Sequence, residues 1–286
     1  MEKIRFITDS ASDMNHPRED VTILPLHIRF GDDEYADGVT ISHREFYEKL
    51  IECDTLPTTS LVSPAVFEDA YEQAVSAGET VIVITISGKL SGTCQSARIA
   101  AEDYEGKVFV VDSMNATIGE RILVEYGLQL KDQGKSAEEI VSILEKEKSK
   151  IHTMGLLDTL EYLKKGGRIT PAAAALGTLL RLKPVLTVQG EKLDAFAKAR
   201  TMKQAKSIMV AAITKDLEER FGDRTGKNVH LAVAHTDNQE EADEFAKELR
   251  ELFPATGEIV IAPLSLSVSC HIGPGSLAVA CSKVIE

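Results

Sequence analysis

The segment with the clearest local pattern reads ITISGKLSGTCQSA and occupies residues 84–97. The β-branched residues Thr80 to Ile84 predict a strand that is buried on both faces, and Gln95 to Glu102 predict a helix. The loop between them is rich in serine and glycine, so the helix N-terminus should lie at the carboxyl end of the strand. Backbone N–H groups and the helix dipole favour an anion there, and Ser91 and Thr93 add hydroxyl donors. The alternative is that Ser91 only caps the helix.

The length and composition of the chain exclude several classes of protein. Its 286 residues predict two domains, each large enough for its own core. A formal net charge of -13, no tryptophan and only 5% aromatic residues argue against binding of nucleic acid. No apolar run is as long as a membrane span, and a strand follows Met1 so closely that no signal peptide is expected; both predict a cytoplasmic protein. The four cysteines lack metal-type spacing, so neither a metal site nor a disulfide framework is expected.

Strands and helices alternate along the first half of the chain. This alternation predicts an α/β fold in which residues 1–150 form a Rossmann-like domain with a parallel, doubly wound sheet. The polar cluster Asp9 to Asp13 follows the first strand, where such sheets carry functional loops, although an Asx turn with a helix cap is an equal alternative. Val21 to Phe30 predicts a strand interrupted by a proline, and Thr58 to Ser60 predicts a hydroxyl-rich loop.

The pattern changes near residue 150, which predicts a second α/β domain over residues 151–286 with a mixed or antiparallel sheet. A helix should end at a glycine pair where Gly166 provides the C′ position, and Thr170 with Pro171 should start the next helix. Ala172 to Leu180 is small and apolar, which is typical of a packed helix or of one wall of an apolar cavity. Lys183 to Val188 and Lys192 to Lys198 predict a β-hairpin.

The polar side chains suited to chemistry are few. They are Asp9, Ser10, Thr59, Ser60, Ser91, Thr93, Arg168, Arg200 and His271. A serine nucleophile with a histidine base is one interpretation, yet the surroundings of Ser91 lack the Gly-x-Ser-x-Gly elbow. His271 precedes a Gly-Pro-Gly turn that should hold its imidazole in a defined place; a structural histidine bonded to a loop carbonyl is the alternative. Arg168 is either an anion ligand or part of a surface ion pair.

Several short motifs occur together in one order along nearly the whole chain. They are Thr8-Asp9-Ser10, Pro57-Thr58-Thr59-Ser60 followed by Ser63-Pro64, Ile86-Ser87-Gly88-Lys89-Leu90-Ser91-Gly92-Thr93, Leu160 to Ile169 with Gly166-Gly167-Arg168, Lys183-Pro184, and His271-Ile272-Gly273-Pro274-Gly275. In this combination the chain resembles the DegV family, which is similar in role to FakB, the fatty-acid-binding subunit of bacterial fatty acid kinase. The resemblance implies a two-domain α/β protein that holds one long-chain fatty acid between its domains.

The resemblance also assigns roles to individual residues and to a partner. It implies that the residues near the fatty-acid carboxylate are Thr59, Ser60, Ser91, Gly92, Thr93 and His271. It places Arg168, Arg200 and His271 on the face that meets a separate ATP-dependent kinase subunit resembling FakA, which converts the carboxylate to an acyl-phosphate for phospholipid synthesis. The chain itself would then be no enzyme and would need no metal or cofactor beyond its fatty-acid ligand, and lipid exchange would involve transient membrane contact.

Four positions depart from the common family pattern. Leu61 stands where the family commonly has glutamine, Ser276 where it has alanine, Cys94 where it has tyrosine and Cys270 where it has threonine. These departures bear on chain selectivity more than on the carboxylate site. The alternatives are a serine hydrolase that uses Ser91 and His271, and a sensor of some other small acid. The sequence predicts neither the preferred acyl chain nor the oligomeric state.

Overall fold

A computed structural model of the protein describes residues 2–14, 18–53, 55–169, 182–188 and 193–283. A four-stranded parallel sheet lies at the centre of the first half. Its strands are β1 (Ile4–Asp9), β2 (Val21–Leu24), β6 (Thr80–Thr85) and β7 (Val108–Asp112), in the order β2-β1-β6-β7. All six residues of β6 are buried, as their β-branched sequence predicts. The strand order reverses between β1 and β6, and the crevice at the carboxyl ends of such strands is the usual ligand position in open α/β sheets.

Five helices accompany this sheet in the described part of the first half. They are α1 (His43–Glu52), α2 (Pro64–Ser76), α3 (Thr93–Ala100), α4 (Ile118–Asp132) and α5 (Ala137–Glu147). Helix α1 begins with a capping box, because Ser42 and Glu45 bond each other's backbone N–H groups. None of the described helices combines the length and the apolar character needed to cross a membrane.

A three-stranded antiparallel sheet corrects two predictions. Its strands are β3 (His27–Phe30), β4 (Asp33–Ala36) and β5 (Thr58–Ser60), in the order β4-β3-β5. The interruption predicted at Pro25 is confirmed, since proline has no N–H for a ladder, but Val21 to Phe30 is not one strand. It forms two strands, β2 and β3, which join different sheets. The loop predicted at Thr58 to Ser60 is also wrong, because these residues pair with β3.

A mixed six-stranded sheet forms the second half and confirms the predicted fold class. Its strands are β8 (His152–Leu156), β9 (Lys183–Val188), β10 (Leu193–Ala199), β11 (Val229–His235), β12 (Val260–Pro263) and β13 (Leu277–Lys283), in the order β10-β9-β8-β13-β11-β12. Only the β11–β12 pair is parallel among these described strands. The predicted pairing of β9 with β10 is confirmed, and the turn between them lies outside the described residues.

The helices of the second half are α6 (Glu161–Gly166), α7 (Met202–Asp216), α8 (Gln239–Leu252) and α9 (Leu266–Ile272), and a π-turn over Leu217–Phe221 extends α7. The helices predicted from Thr170 and over Ala172 to Leu180 lie outside the described residues. The domain boundary at residue 150 stays a prediction.

Helix α4 connects the two large sheets. Ten of its residues are buried, and it contacts β1 and β6 of the parallel sheet as well as β11 and β13 of the mixed sheet. A helix that is apolar on most of its circumference packs inside a protein rather than on its surface. One apolar cluster accordingly includes Phe6 and Ile84 together with Leu186 and Ala280. The parallel sheet and the mixed sheet therefore share one apolar core.

Candidate ligand site at the carboxyl edge of the parallel sheet

A cavity of about 500 Å³ lies between the carboxyl edge of the parallel sheet and the mixed sheet. Its walls come from the loop after β6, from strands β8 and β13, and from helix α9. Most of the lining side chains are apolar, among them Leu26, Ile86, Met154, Leu157, Val268 and Leu277. Small-molecule sites typically measure roughly 300–1,000 Å³ and combine apolar walls with a few polar groups. The cavity therefore has the size and lining of a site for a largely apolar ligand.

Ser91 and Thr93 form a hydroxyl pair next to the N-terminus of α3. Their side-chain oxygens lie 2.9 Å apart, and the Thr93 backbone N–H donates to the Ser91 Oγ at 3.3 Å. Ser91 and Gly92 line the cavity, whereas the Thr93 side chain is fully buried behind them. The capping interpretation of Ser91 is confirmed in part: the N-cap residue is Gly92, which has no side chain, and the Ser91 Oγ accepts from the first helical N–H, that of Thr93. Ser91 thus lies at the wall of the cavity, next to the positive end of a helix.

The loop that carries Ser91 is held by the next strand of the sheet. The Gly88 N–H lies 3.2 Å from both carboxylate oxygens of Asp112, the last residue of β7. A Cβ at Gly88 would lie 2.8 Å from the Asp112 Oδ2, so a larger residue would push the loop away. Glycine at this position therefore fixes where the loop enters α3.

Thr59 and His271 form the second polar pair of the cavity. The Thr59 Oγ1 lies 2.8 Å from the Nε2 of His271, and both residues line the cavity together with the exposed Ser60. Burial, and then the positive charge of Arg168, lower the pKa of His271 from 6.5 to about 4. The imidazole is therefore neutral at pH 7 and can donate a hydrogen bond from one nitrogen only.

Two members of a group of four buried carboxyl groups bond the start of the helix that bears His271. We call Asp9, Asp13, Asp37 and Glu120 the acidic junction. Asp37 accepts hydrogen bonds from the backbone N–H groups of Leu266 and Ser267 at the start of α9, at 2.9 and 3.0 Å. Asp13 accepts from the Ser265 N–H at 2.8 Å, so two carboxyl groups hold the N-terminal end of this helix.

Asp9 ties the first strand to the neighbouring loops instead of facing the cavity. Its carboxylate accepts from the Ala11 N–H at 3.0 Å and from the Ile86 N–H at 2.8 Å. The Ser10 Oγ donates to Asp37 at 2.9 Å. Of the two interpretations of the segment Asp9 to Asp13, the Asx turn with a cap is confirmed, because Asp9 caps a short helical turn over Ser10–Ser12.

The two predicted arginines differ in position. Arg168 lines the cavity, is half-buried, and donates from its Nη1 to the Gly166 carbonyl at 2.5 Å. Arg200 is exposed just after β10 and is not among the described residues that line the cavity; its backbone N–H donates to the Gln204 side chain at 2.9 Å.

The described geometry does not favour the serine hydrolase alternative. Ser91 is paired with Thr93 and His271 with Thr59, and no hydrogen bond joins Ser91 to His271. Among the described residues no carboxylate bonds the His271 ring, so the orienting member of a triad is missing there. A histidine with a pKa of about 4 is also a weak general base at neutral pH.

A separate buried cluster of His152, Asp216 and Cys281 has side chains of the metal-ligating kind. Their ligand atoms lie within 4.8 Å of one another. The Asp216 carboxylate, however, accepts from the His152 Nδ1 at 2.5 Å and pairs with Arg220 at 3.0 Å. Because the Arg220 guanidinium already neutralises this carboxylate, we interpret the cluster as structural, with the His152–Asp216 hydrogen bond linking β8 to α7.

Sequence reasoning missed how Gly166 and helix α9 contribute. The predicted C′ glycine is wrong: Gly166 is the last residue of α6, and Gly167, with φ of 69°, takes the left-handed cap. His271 lies in the last turn of α9, not in a loop. The local signals for α9 were Ser265 in the N-cap position and Gly273 just after the last helical residue.

Comparison with known proteins gives consistent matches over the whole chain. The model of the DegV family, described as an uncharacterised protein family, matches residues 3–284. A DegV domain-containing protein of Clostridium perfringens is 34% identical, covering 98% of this chain and 97% of the relative. A DegV domain-containing protein of Deinococcus radiodurans is also 34% identical, with 97% of each chain covered.

Solved structures show the same architecture. A DegV family protein from Thermus thermophilus, described as binding fatty acid, has a TM-score of 0.90 at 32% identity and covers 98% of this chain and 99% of its own. A stearic acid-binding protein from Eubacterium ventriosum has a TM-score of 0.88 at 27% identity, with 99% and 98% covered. The fold, the ordered motifs and these matches agree, and the chain belongs to the DegV family.

Proposed function

We propose that this protein binds one long-chain fatty acid and presents its carboxylate to a separate kinase subunit. The observation that carries the proposal is the cavity of about 500 Å³, which has apolar walls and the hydroxyl-bearing residues Thr59 and Ser91 beside the N-terminus of α3. Each buried CH₂ group of an acyl chain contributes about 0.8 kcal/mol to binding before the costs of association. Such a cavity favours sequestration of a poorly soluble ligand. The fatty acids bound by the relatives from Thermus thermophilus and Eubacterium ventriosum support the same ligand class.

The carboxylate is held by hydroxyl donors whose own partners set their direction. With its proton on Nε2, the neutral His271 ring donates to the Thr59 Oγ1, which leaves the Thr59 O–H free for the ligand. In the same way Thr93 donates to the Ser91 Oγ, and Ser91 donates onward. The dipole of α3 and the half-buried Arg168 balance the negative charge. Gly92 and Ser60 complete the polar end of the cavity.

The chain binds the carboxylate without activating a nucleophile of its own, so the chemistry belongs to the partner. In the proposed reaction a carboxylate oxygen attacks the γ-phosphorus of ATP, the bond to the β-γ bridging oxygen breaks, and ADP leaves as the acyl-phosphate forms. Arg168 and Arg200 would contact this kinase subunit, which resembles FakA. A cytoplasmic location, and transient membrane contact for lipid exchange, are parts of the same proposal.

Mass spectrometry of the denatured protein tests the ligand class. We expect one fatty acid per chain in the extract, and its length and unsaturation give the chain preference. If the extract is empty, the delipidated protein is titrated with octadecanoic and octadecenoic acids. A bound non-lipid acid, or failure to bind either fatty acid, contradicts the proposal and favours the small-acid sensor.

Substitution of Arg200 tests the partner. Because Arg200 is exposed and does not line the described cavity, Arg200→Ala should keep the fatty acid and lose phosphorylation by the kinase subunit. Arg44, whose side chain is 87% exposed on α1, gives the matched control Arg44→Ala, which should retain both properties. A variant Arg200→Ala that loses the lipid but keeps phosphorylation would show that the role is assigned wrongly.

A further inference from the structure

We propose that Gly166 and Tyr162, one turn apart on α6, form a socket that fixes the imidazole of His271. Helix α6 would then be a positioning element of the carboxylate site, although neither residue donates a hydrogen bond to the ligand. The inference rests on the proposed function for its effect on binding. The socket itself rests on contacts within the protein.

The first contact joins α6 to the histidine ring. A Cβ added at Gly166 would lie 2.6 Å from the His271 Nδ1 and 3.5 Å from its Cε1. Non-bonded carbon atoms normally stay about 3.5–4.0 Å apart, so the ring already occupies the space that any side chain at position 166 would need. His271 therefore packs directly on the backbone of α6.

The second contact is reciprocal. A Cβ added at Gly273 would lie 2.5 Å from the Cδ2 and Cε2 atoms of the Tyr162 ring. Tyr162 and Gly166 are four residues apart, so they share one face of the helix. A ring from α6 thus covers the glycine after α9, while a ring from α9 covers the glycine that ends α6. These two contacts join α6 to the end of α9 at two points, His271 and Gly273.

The backbone at position 166 does not by itself require glycine. The left-handed cap belongs to Gly167, with φ of 69°, and Gly166 is the final helical residue. At an unconstrained helical position alanine is more favourable than glycine. The neighbouring imidazole therefore remains as the physical reason for glycine here.

The socket matters because the two ring nitrogens of His271 have different neighbours. The Nε2 atom lies 2.8 Å from the Thr59 Oγ1, and the Nδ1 atom faces Gly166. A methyl group at position 166 would displace the ring from Thr59, and hydrogen bonds weaken steeply when distance and angle depart from their optimum. The Thr59 hydroxyl would then lose the partner that directs it at the ligand.

A double-mutant cycle with Gly166→Ala and His271→Ala tests the socket. In the otherwise unchanged protein, Gly166→Ala should lower the melting temperature, raise the pKa of His271 toward 6.5, and weaken binding of a fluorescent octadecanoic acid analogue about tenfold, the size of one lost hydrogen bond. In the His271→Ala background the ring is gone. There Gly166→Ala should raise the melting temperature and leave the affinity unchanged.

The matched control is Gly257→Ala. A Cβ at Gly257 would meet nothing within 4 Å, and its φ is not in the left-handed region. This control should change neither the His271 pKa, followed by NMR titration, nor the affinity. If Gly166→Ala leaves the His271 pKa unchanged, or has equal effects in both backgrounds, the socket is wrong. If the unaltered protein binds no fatty acid, the proposed function fails, while melting temperature and pKa still decide on the socket.

Discussion

Two polar clusters at the same edge of the parallel sheet differ in what their side chains bond. We call Thr59, Ser91, Thr93 and His271 the hydroxyl site; three of these line the cavity, and they are joined in two side-chain pairs. The acidic junction is buried, and each of its four residues is at most 5% exposed to solvent. Its oxygens mainly accept from backbone N–H groups and hydroxyls of other segments.

The difference separates a supporting cluster from the proposed binding cluster, although both lie near the carboxyl edge of the parallel sheet. In the acidic junction the acceptors are used to anchor chain segments, as Asp37 anchors the start of α9. In the hydroxyl site, a His271 proton on Nε2 and a Thr93 that donates to Ser91 would leave one O–H for the cavity in each pair, on Thr59 and on Ser91. We therefore interpret buried groups that already have their partners as support for the fold, and hydroxyls at the cavity wall as the proposed donors to a ligand.

Removal of the Asp37 carboxylate should give the largest loss of stability. Asp37→Ala leaves the N–H groups of Leu266 and Ser267 and the hydroxyls of Ser267 and Ser10 without their acceptor. Several buried donors without partners should cost about 4 kcal/mol of unfolding free energy. Urea denaturation measures this loss, and ligand binding should fall with it because α9 carries His271.

The control for this substitution is Asp69→Ala, on an exposed position of α2. It should change the free energy of unfolding by less than about 0.5 kcal/mol. If Asp37→Ala were as mild as its control, the acidic junction would not be a supporting cluster, and the comparison would fail.

Local patterns in the sequence predicted the parts whose contacts are local. The strand-loop-helix unit around Ser91 is one, since its geometry follows from neighbouring residues. The α/β class and the pairing of β9 with β10 are others. For the segment Asp9 to Asp13 the sequence left two alternatives, because an Asx turn and a functional loop use the same residue types.

Contacts between distant segments could not be predicted in this way. Thr59 lies in a strand only because β3 pairs with it, and Gly166 is glycine because of a ring 105 positions further along the chain. Strand β13, LAVACSK, has no local alternation, since both of its faces are buried. The resemblance to the DegV family named the residues of the hydroxyl site, but the supporting role of Asp37 emerged from the three-dimensional contacts alone.

The two clusters should give opposite pH dependences of stability. Burial raises the pKa of Glu120 well above its usual range, and burial raises the pKa of Asp9 to about 7. The folded state then binds more protons than the unfolded state from about pH 4 to 7, so these groups reduce stability as the pH rises. His271, with its pKa lowered from 6.5 to about 4, acts the other way and reduces stability as the pH falls below 6.5.

Two substitutions separate these effects in urea titrations between pH 4 and 8. Glu120→Gln keeps an oxygen acceptor for Thr8 and removes the titration, so the fall in stability with rising pH should become shallower. His271→Ala removes an opposing contribution of up to about 3 kcal/mol between pH 4 and 6.5, so the fall should become steeper. Glu72→Gln on the exposed face of α2 should leave the slope unchanged. Slopes that change in the same direction in both variants would contradict the division into two clusters.

The smallest effect on stability is expected at Ser91. Its side chain is half-buried at the cavity wall, and its hydrogen bonds to Thr93 are local, so Ser91→Ala should cost less than about 1 kcal/mol of unfolding free energy. The same change should weaken fatty-acid binding about tenfold, because a donor to the carboxylate is lost and Thr93 is too deeply buried to replace it. Ser76→Ala, at the exposed end of α2, should affect neither quantity. A large loss of stability with unchanged affinity would mean that Ser91 supports the fold as Asp37 does. The ligand carboxylate would then have to bind elsewhere in the cavity.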